Sequence, residues 1–372
     1  MKYFIIAGEK SGDLHGSNLI KEIKLVDNNA QFHFFGGEQM QAEDNNLLMH
    51  YKNLDIIGVK GVILNFGKIF KNMNFCKSEI LKFNPAAVIL IDYPGFNLRI
   101  AKFATKNNYK VFYFISPQVW AWKKSRVKII KKYVYKLFSI LPFEKEFYQK
   151  YNYNVEFVGH PLAEIIEKYP KKEFKTFCEE NNLSDKKIIA LLPGSRTSEI
   201  NSILPVIIEI SNYFPDYQFV VAAISARNGD LYKKYSENKN VKIIFDKTYS
   251  LLQNAYAAVV ASGTATLETG LFGVPLIVCY KIDNLSYFLA KKLIKIKYIS
   301  LVNIILDKPA VKELIQHDLN ITDLRAELQR ITENQNYRLE ILSNLENLKA
   351  KLKVNENSYK KTVNMIISSI ND

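Results

Sequence analysis

Cysteine is scarce in this chain. Cys76, Cys178 and Cys279 stand far apart and form no C-x-x-C pair, so neither a disulfide framework nor a zinc site is suggested, and a reducing cytoplasm fits. No run of about 18 apolar residues exists to span a bilayer. The start of the chain carries Lys2 and then a short apolar run, Tyr3 to Ala7, before Gly8; that is too short for a signal peptide, so a soluble or peripheral protein is expected. Low-complexity tracts and repeats at a solenoid period are also missing, which excludes fibrous and repeat architectures. Acidic residues are outnumbered, 37 against 51 basic ones, leaving a formal charge of +14. Such a balance favours an anionic partner, whether nucleic acid, a phosphorylated small molecule or an acidic membrane surface, although a lysine-rich composition also arises without one.

What is present is ample apolar material, 48% over 372 residues, enough for about two domains. Short continuous apolar runs recur with helical segments between them: 3-YFIIA-7, 32-FHFFG-36, 87-AVILID-92, 111-VFYFIS-116, 137-LFSIL-141 and 155-VEFVG-159. The same grammar restarts at 187-KIIALLPG-194 and continues through 218-QFVVAA-223, 241-VKIIF-245, 257-AAVVASG-263 and 276-LIVCY-280. Unbroken apolar runs suit parallel strands buried on both faces, so the fold class is α/β, two doubly wound domains in tandem. The seam is placed in the charged segment 164-EIIEKYPKKEFKTF-177. Two such domains are expected to face each other across a cleft lined by the carboxyl ends of their strands, where ligands of open α/β sheets bind.

Six stretches can carry chemistry or binding. In 7-AGEKSGDLHG-16 three glycines follow a strand, but neither a P-loop nor G-x-G-x-x-G is formed; Glu9, Ser11, Asp13 and His15 are more polar groups than a turn needs, while Asp13 also reads as a helix cap. Asp92 ends a buried strand, where desolvation can raise its pKa toward that of a useful base; the alternative is a loop cap, and Asn97 reads as a cap of the next helix. In 193-PGSRTSEI-200, Arg196 can offer a bidentate fork to a diphosphate beside the start of a helix. In 261-ASGTATLETGLFGVP-275, the N–H groups and hydroxyls of Ser262, Gly263 and Thr264 can hold phosphates, and Glu268, one turn on, can accept from ribose hydroxyls. Trp120 and Trp122 precede six basic residues in the ten from Lys123 to Lys132, a weak nucleic-acid signal whose plain alternative is a solvated helix face. Finally Val62, Ile63, Phe66, Ile69, Phe70 and Met73 share one helical stripe flanked by Lys68 and Lys71, either core or a face that dips into a membrane interface.

Taken in order, 7-AGEKSGD-13, 36-GGEQMQAE-43, 91-IDYPGFNLRIAK-102, 115-ISPQVWAWKKSRV-127, 141-LPFEKEFYQKY-151, 157-FVGHPL-162, 191-LLPGSR-196, 261-ASGTATLE-268 and 300-SLVNIIL-306 resemble, nearly end to end, the motifs of the lipid-A-disaccharide synthase family, inverting glycosyltransferases of the GT-B fold. The resemblance implies two Rossmann-like domains, residues 1–165 on the acceptor and membrane side, completed by a C-terminal helix at about 355–372, and residues 166–354 binding the UDP-sugar. It implies transfer of a sugar from UDP-2,3-diacylglucosamine to the 6-hydroxyl of 2,3-diacylglucosamine 1-phosphate (lipid X), giving the β-1,6-linked lipid A disaccharide 1-phosphate and UDP, with no metal or other cofactor and no nucleic-acid partner.

Carried over residue by residue, Asp92 matches the family's proposed base. Arg196, Ser262, Gly263, Thr264, Glu268 and Asn303 match its donor side, and Glu9, Ser11 and Asp13 its acceptor side. The stripe Val62, Ile63, Phe66, Ile69, Phe70 and Met73 matches the segment by which relatives reach lipid, so peripheral association with the cytoplasmic face of the inner membrane is implied, as is a homodimer with exchanged C-terminal elements. Many relatives read I-D-x-P-D-F where this chain has Gly95, so no role of that second carboxylate transfers. Two readings of other classes stand beside this one: a UDP-sugar 2-epimerase of the same fold, which has no use for a lipid-facing helix, and a non-catalytic nucleic-acid-binding protein, which would leave ASGTATLE idle.

Overall fold

The structure, a computed structural model, describes residues 1–54, 66–121, 124–225, 231–232, 235, 240–283, 287–288 and 296–372, with the backbone alone at position 66. The chain forms two compact units, Met1–Pro161 with Val354–Asp372, and Leu162–Lys353. The first holds a sheet of seven strands: β1 Lys2–Ala7, β2 Gln31–Gly36, β3 Leu47–His50, β4 Ala87–Ile91, β5 Lys110–Phe114, β6 Lys136–Ser139 and β7 Glu156–Phe157. Its order is β3-β2-β1-β4-β5-β6-β7, parallel throughout. The second holds β8 Lys187–Leu192, β9 Tyr217–Ala223, β10 Val241–Phe245, β11 Ala255–Ala261, β12 Leu276–Tyr280 and β13 Glu313–Ile315, also parallel, in the order β10-β9-β8-β11-β12-β13.

The central strands are sealed on both faces. Every residue of β4 is buried, and residues 3–7 of β1 are wholly so. Phe4, Ile6, Val88 and Leu90 point into one core layer, while Tyr3, Ile5, Ile89 and Ile91 point into the other. A parallel strand under helices on both sides has no wet face, which is why these segments read as unbroken apolar runs.

Each sheet reverses its strand order once. In the first unit the reversal lies between β1 and β4; in the second it lies between β8 and β11. Loops that leave such a pair of neighbours in opposite directions part at their carboxyl ends and leave a crevice for a ligand. The loops concerned begin at Gly8 and Asp92 in one unit, and at Pro193 and Ser262 in the other.

The C-terminal helix Ser358–Asn371 returns to the first unit. Tyr359, Val363 and Ile366 enter the same core layer as Tyr3 and Phe114. The Tyr359 hydroxyl meets His15 Nδ1 at 2.8 Å, and Lys110 Nζ donates to the Ser369 carbonyl at 2.6 Å. His15 therefore joins the first loop to the last helix. Burial pushes its pKa down to about 4, so the ring is neutral near pH 7.

Candidate functional site

The Asp92 turn is held in a conformation that most residues avoid. Asp92 and Tyr93 both adopt left-handed backbone, with φ of 40° and 48°. Each such residue costs on the order of 1–3 kcal/mol and persists only where its surroundings insist on it. Here they do: Tyr113 donates its hydroxyl to the Asp92 carbonyl at 2.5 Å, and Asn97 donates its amide to the carbonyls of Ile91 and Asp92 at 3.1 and 2.7 Å. The Asp92 N–H meanwhile extends the ladder to the Phe114 carbonyl at 3.1 Å. Asn97 is thus a fully buried clamp on the turn before its helix Pro94–Lys106, not the cap read from the sequence; Tyr93 occupies the cap position.

With its backbone fixed, Asp92 leaves its carboxyl to a cavity of about 200 Å³ lined also by Ser116, Gln118, Val119 and Arg126. Burial raises the Asp92 pKa to about 6, the nearby Glu9 charge adds to the rise, and the Tyr93 backbone opposes it. A carboxylate poised near 6 is ionised at neutral pH yet is a far better base than an exposed one. Gly8 is required beside it: a Cβ there would fall inside the Tyr93 ring, so the two loops pack only because one lacks a side chain. Gly95, at the position where many relatives carry an acidic residue, has open space where a Cβ would stand.

The first loop divides. Glu9 and Ser11 are exposed, Glu9 close enough to Asp92 to act on its charge. Asp13, expected on the acceptor side, is 1% exposed and faces inward. Its Oδ1 accepts from the N–H of Gly37 at 2.7 Å and of Met40 at 3.1 Å, and its Oδ2 from Gln39 at 3.0 Å. Asp13 therefore caps the neighbouring helix Glu38–Glu43 instead of its own, and no acceptor oxygen faces a ligand.

In the second unit, Arg196, Ser262, Gly263, Thr264 and Glu268 come together around one cavity of about 340 Å³, with Gly194, Glu199 and Thr248. Arg196 precedes the helix Thr197–Glu209. Glu199 Oε2 accepts from the backbone N–H of Ser195 and Arg196, both at 3.2 Å, while its Oε1 takes Arg196 Nη1 at 3.0 Å. Gly194 makes room for this fold-back, at φ 101°. The Arg196 side chain is 75% exposed, and an exposed pair of this kind is worth about 1 kcal/mol at most. A charge-assisted bond to a diphosphate is worth more, so little holds the guanidinium back from an anion.

Ser262 contributes less than its motif suggested. Its N–H is spent on the Cys279 carbonyl at 2.8 Å and its hydroxyl donates to the Ile299 carbonyl at 3.1 Å. The helix Thr264–Leu271 leaves the N–H groups of Thr264 and Ala265 without a carbonyl a turn behind them, the Thr266 N–H being spent on the Gly263 carbonyl at 3.1 Å, and such N–H groups suit an anion. Glu268 is partly buried and its pKa is raised by that burial. Its Oε1 accepts from the Tyr249 hydroxyl at 2.8 Å, and the Tyr249 ring packs edge-on to Tyr169 and Phe272. Tyr249 fixes the glutamate and was not singled out by any sequence pattern.

Several expected residues lie elsewhere. Asn303 is 1% exposed and its amide is consumed by the Val311 N–H and carbonyl and by Glu313, so it braces the segment before β13 and does not line the cavity. In the apolar stripe, Val62, Ile63 and the Phe66 side chain fall outside the described residues. On the helix Phe66–Phe83, Ile69 is half-buried, Phe70 is 60% exposed, and Met73 is buried at 5% in the core, which removes Met73 from any lipid contact. Trp120 is half-buried, turns its Nε1 to Glu144 at 3.2 Å and packs edge-on with Phe143; Trp122 and Lys123 are outside the described residues. The following helix Arg126–Tyr133 buries Val127 and Ile130 and exposes Lys128, Lys131 and Lys132, the solvated-face reading of the basic run. Among the described residues, no group of His, Cys, Asp and Glu side chains is arranged to hold a metal ion.

Comparison with known proteins bears on both readings of the fold. The profile of the family described as lipid-A-disaccharide synthetase matches residues 3–367. The chain belongs to the lipid-A-disaccharide synthase family. A lipid-A-disaccharide synthase of Coxiella burnetii (strain Dugway 5J108-111) is 37% identical over 353 residues, covering 94% of this chain and 93% of its own length. One from Geobacter sulfurreducens is 34% identical over 357 residues, with the same coverage. Among solved structures, UDP-GlcNAc 2-epimerase from Neisseria meningitidis superposes with a TM-score of 0.65 at 13% identity, covering 100% of this chain and 99% of that one. The glycosyltransferase of kitacinnamycin gives 0.67 at 10% identity, covering 99% and 98%. At such identities the likeness is one of fold, GT-B, and the epimerase is a fold neighbour only. This family member is a glycosyltransferase of lipid A disaccharide synthesis.

Proposed function

We propose that the chain joins UDP-2,3-diacylglucosamine to 2,3-diacylglucosamine 1-phosphate through the following division of labour. Asp92 removes the proton of the acceptor 6-hydroxyl. The oxygen so activated attacks the anomeric carbon of the donor from the face opposite the nucleotide, the bond from that carbon to the diphosphate oxygen breaks, and UDP departs with β-1,6-linked disaccharide 1-phosphate as the other product. The negative charge that develops on the leaving diphosphate is met by Arg196 and by the first N–H groups of the helix Thr264–Leu271, and Glu268 accepts from the ribose hydroxyls. The observation that carries this reading is Asp92 itself: a carboxyl with its pKa raised to about 6, on a strained and fully braced turn at the switch point of its sheet. The test is incubation with both acylated sugars. UDP release that depends on the phosphorylated acceptor is expected; release or sugar isomerisation without it would favour epimerase chemistry.

We further infer peripheral association with the cytoplasmic face of the membrane. Both substrates of the proposed reaction are acylated, and no helix among the described residues is long and apolar enough to cross a bilayer. Phe70, 60% exposed between the exposed Lys68 and Lys71, is a side chain suited to an anionic interface. Phe70→Ser should weaken binding to phosphatidylglycerol-containing vesicles and leave the thermal midpoint unchanged. Undiminished binding, or a large fall in stability, would contradict this placement.

A further inference from the structure

We propose that Glu144 serves as a neutral carboxylic acid, a positioning residue that fastens the turn 115–121 and so shapes the cavity in which Asp92 lies. The proposal goes beyond the base assignment and rests on it only for its activity readout.

Glu144 opens the short helix Phe143–Gln149 and is 0% exposed. Its Oε1 accepts from Trp120 Nε1 at 3.2 Å, while its Oε2, equally buried, has no hydrogen-bond partner among the described residues. Among the described residues the groups that act on it are the Ser116 hydroxyl, the Trp120 indole, the Leu141 backbone, the Asp92 carboxyl and the Tyr148 phenol, and none of these is a cation. An ionised carboxylate so placed would be an unpaired buried charge, far costlier than a neutral hydroxyl lacking one bond. It would also stand as a second anion near Asp92, and two such carboxyls divide their roles, the better solvated one ionising first. Burial accordingly pushes the Glu144 pKa up to about 8.

The turn that Glu144 holds forms one wall of the cavity. Ile115, Ser116, Pro117, Gln118 and Val119 line it with Asp92. Ile115 adopts φ 65°, a conformation that a β-branched side chain reaches only under constraint. Both fastenings come from the helix Phe143–Gln149: the Ser116 hydroxyl pairs with Tyr148 at 3.0 Å at one end, and Trp120 pairs with Glu144 and packs edge-on to Phe143 at 5.0 Å at the other. Glu144 thus helps to hold a strained wall, and an amide of the same shape can do the same.

The test compares Glu144→Gln and Glu144→Ala with the natural chain. Because the folded-state pKa lies above the ordinary 4.5, the folded natural chain binds the extra proton and its stability falls as pH rises toward about 8. Glu144→Gln has no such proton to lose, so its thermal midpoint should gain on the natural chain steadily between pH 5 and pH 8; a constant difference would overturn the neutral assignment. In acceptor-dependent UDP release at pH 7, Glu144→Gln should keep its kcat within about threefold, whereas Glu144→Ala should lose about tenfold or more with donor KM unchanged. A Gln variant as slow as the Ala variant would show that the charge is needed, and an Ala variant at full kcat would remove Glu144 from the positioning of the wall. Should the Ala variant not fold, the Gln variant decides alone, and its midpoint arm does not depend on Asp92 being the base.

Discussion

Asp92→Asn should lower kcat by about 100-fold or more while leaving UDP affinity unchanged, the loss expected when a general base is replaced by an amide of the same shape. The substitution keeps the turn intact because the bonds to Tyr113, Asn97 and Phe114 are made by the Asp92 backbone, and an amide oxygen can still accept from the Tyr93 N–H. UDP affinity should hold because Arg196 and Glu268 belong to the other unit. In the natural chain the rate should fall as pH drops through about 6, since the base acts only when ionised and protonation silences it. Burial is the larger cause of that raised pKa and the Glu9 charge the next. An Asn variant with undiminished kcat, or an acid limb near that of a free aspartate, would remove Asp92 from proton transfer.

The parts of the fold legible in the sequence were those whose signal is continuous burial. β1, β4, β5, β8 and β11 read as unbroken apolar runs because helices cover both of their faces. Of the four edge strands, β7 and β10 were read from their apolar runs but two did not show themselves: β3, Leu47–His50, is only half-buried along its length, and β13, Glu313–Ile315, is three residues long. Neither has the length or the apolar content to stand out from a loop. The chain crosses between its units after Pro161 and again after Lys353, where the reading placed the seam at 165 and the return at about 355; compact contacts, not composition, set those points.

At the sites, a polar residue at the end of a strand could be found, but the direction of its side chain could not. Asp92, Arg196 and Glu268 have their functional groups in cavities, whereas Asn303, equally part of a recognised motif, spends its amide on Val311 and Glu313. Nothing local distinguishes the two cases, because the partners of Asn303 lie eight to ten residues away on a segment with no pattern of its own. Tyr249 and Glu144 escaped for the same reason: each acts through another side chain that the fold, and not the sequence, brings near.

Asp13→Ala should destabilise the first unit severely and leave UDP binding by the second untouched. Three backbone N–H groups converge on its carboxylate, two on Oδ1 and one on Oδ2, and all belong to the start of a helix of six residues. A helix so short has no stability of its own in water. Each donor left without a partner costs about 1–3 kcal/mol, so with partial relaxation the whole loss should be about 3–5 kcal/mol. Asp13→Asn keeps one acceptor oxygen in place of two and should fall between. The carboxylate also packs against Gly37, where a Cβ would collide with it and with Tyr51, so the motifs AGEKSGD and GGEQM are two halves of one joint. Urea or thermal unfolding measures the loss directly. If Asp13 instead served the acceptor, its alanine variant would unfold normally and show a raised KM for the phosphorylated acyl sugar alone, the opposite of what its buried geometry demands.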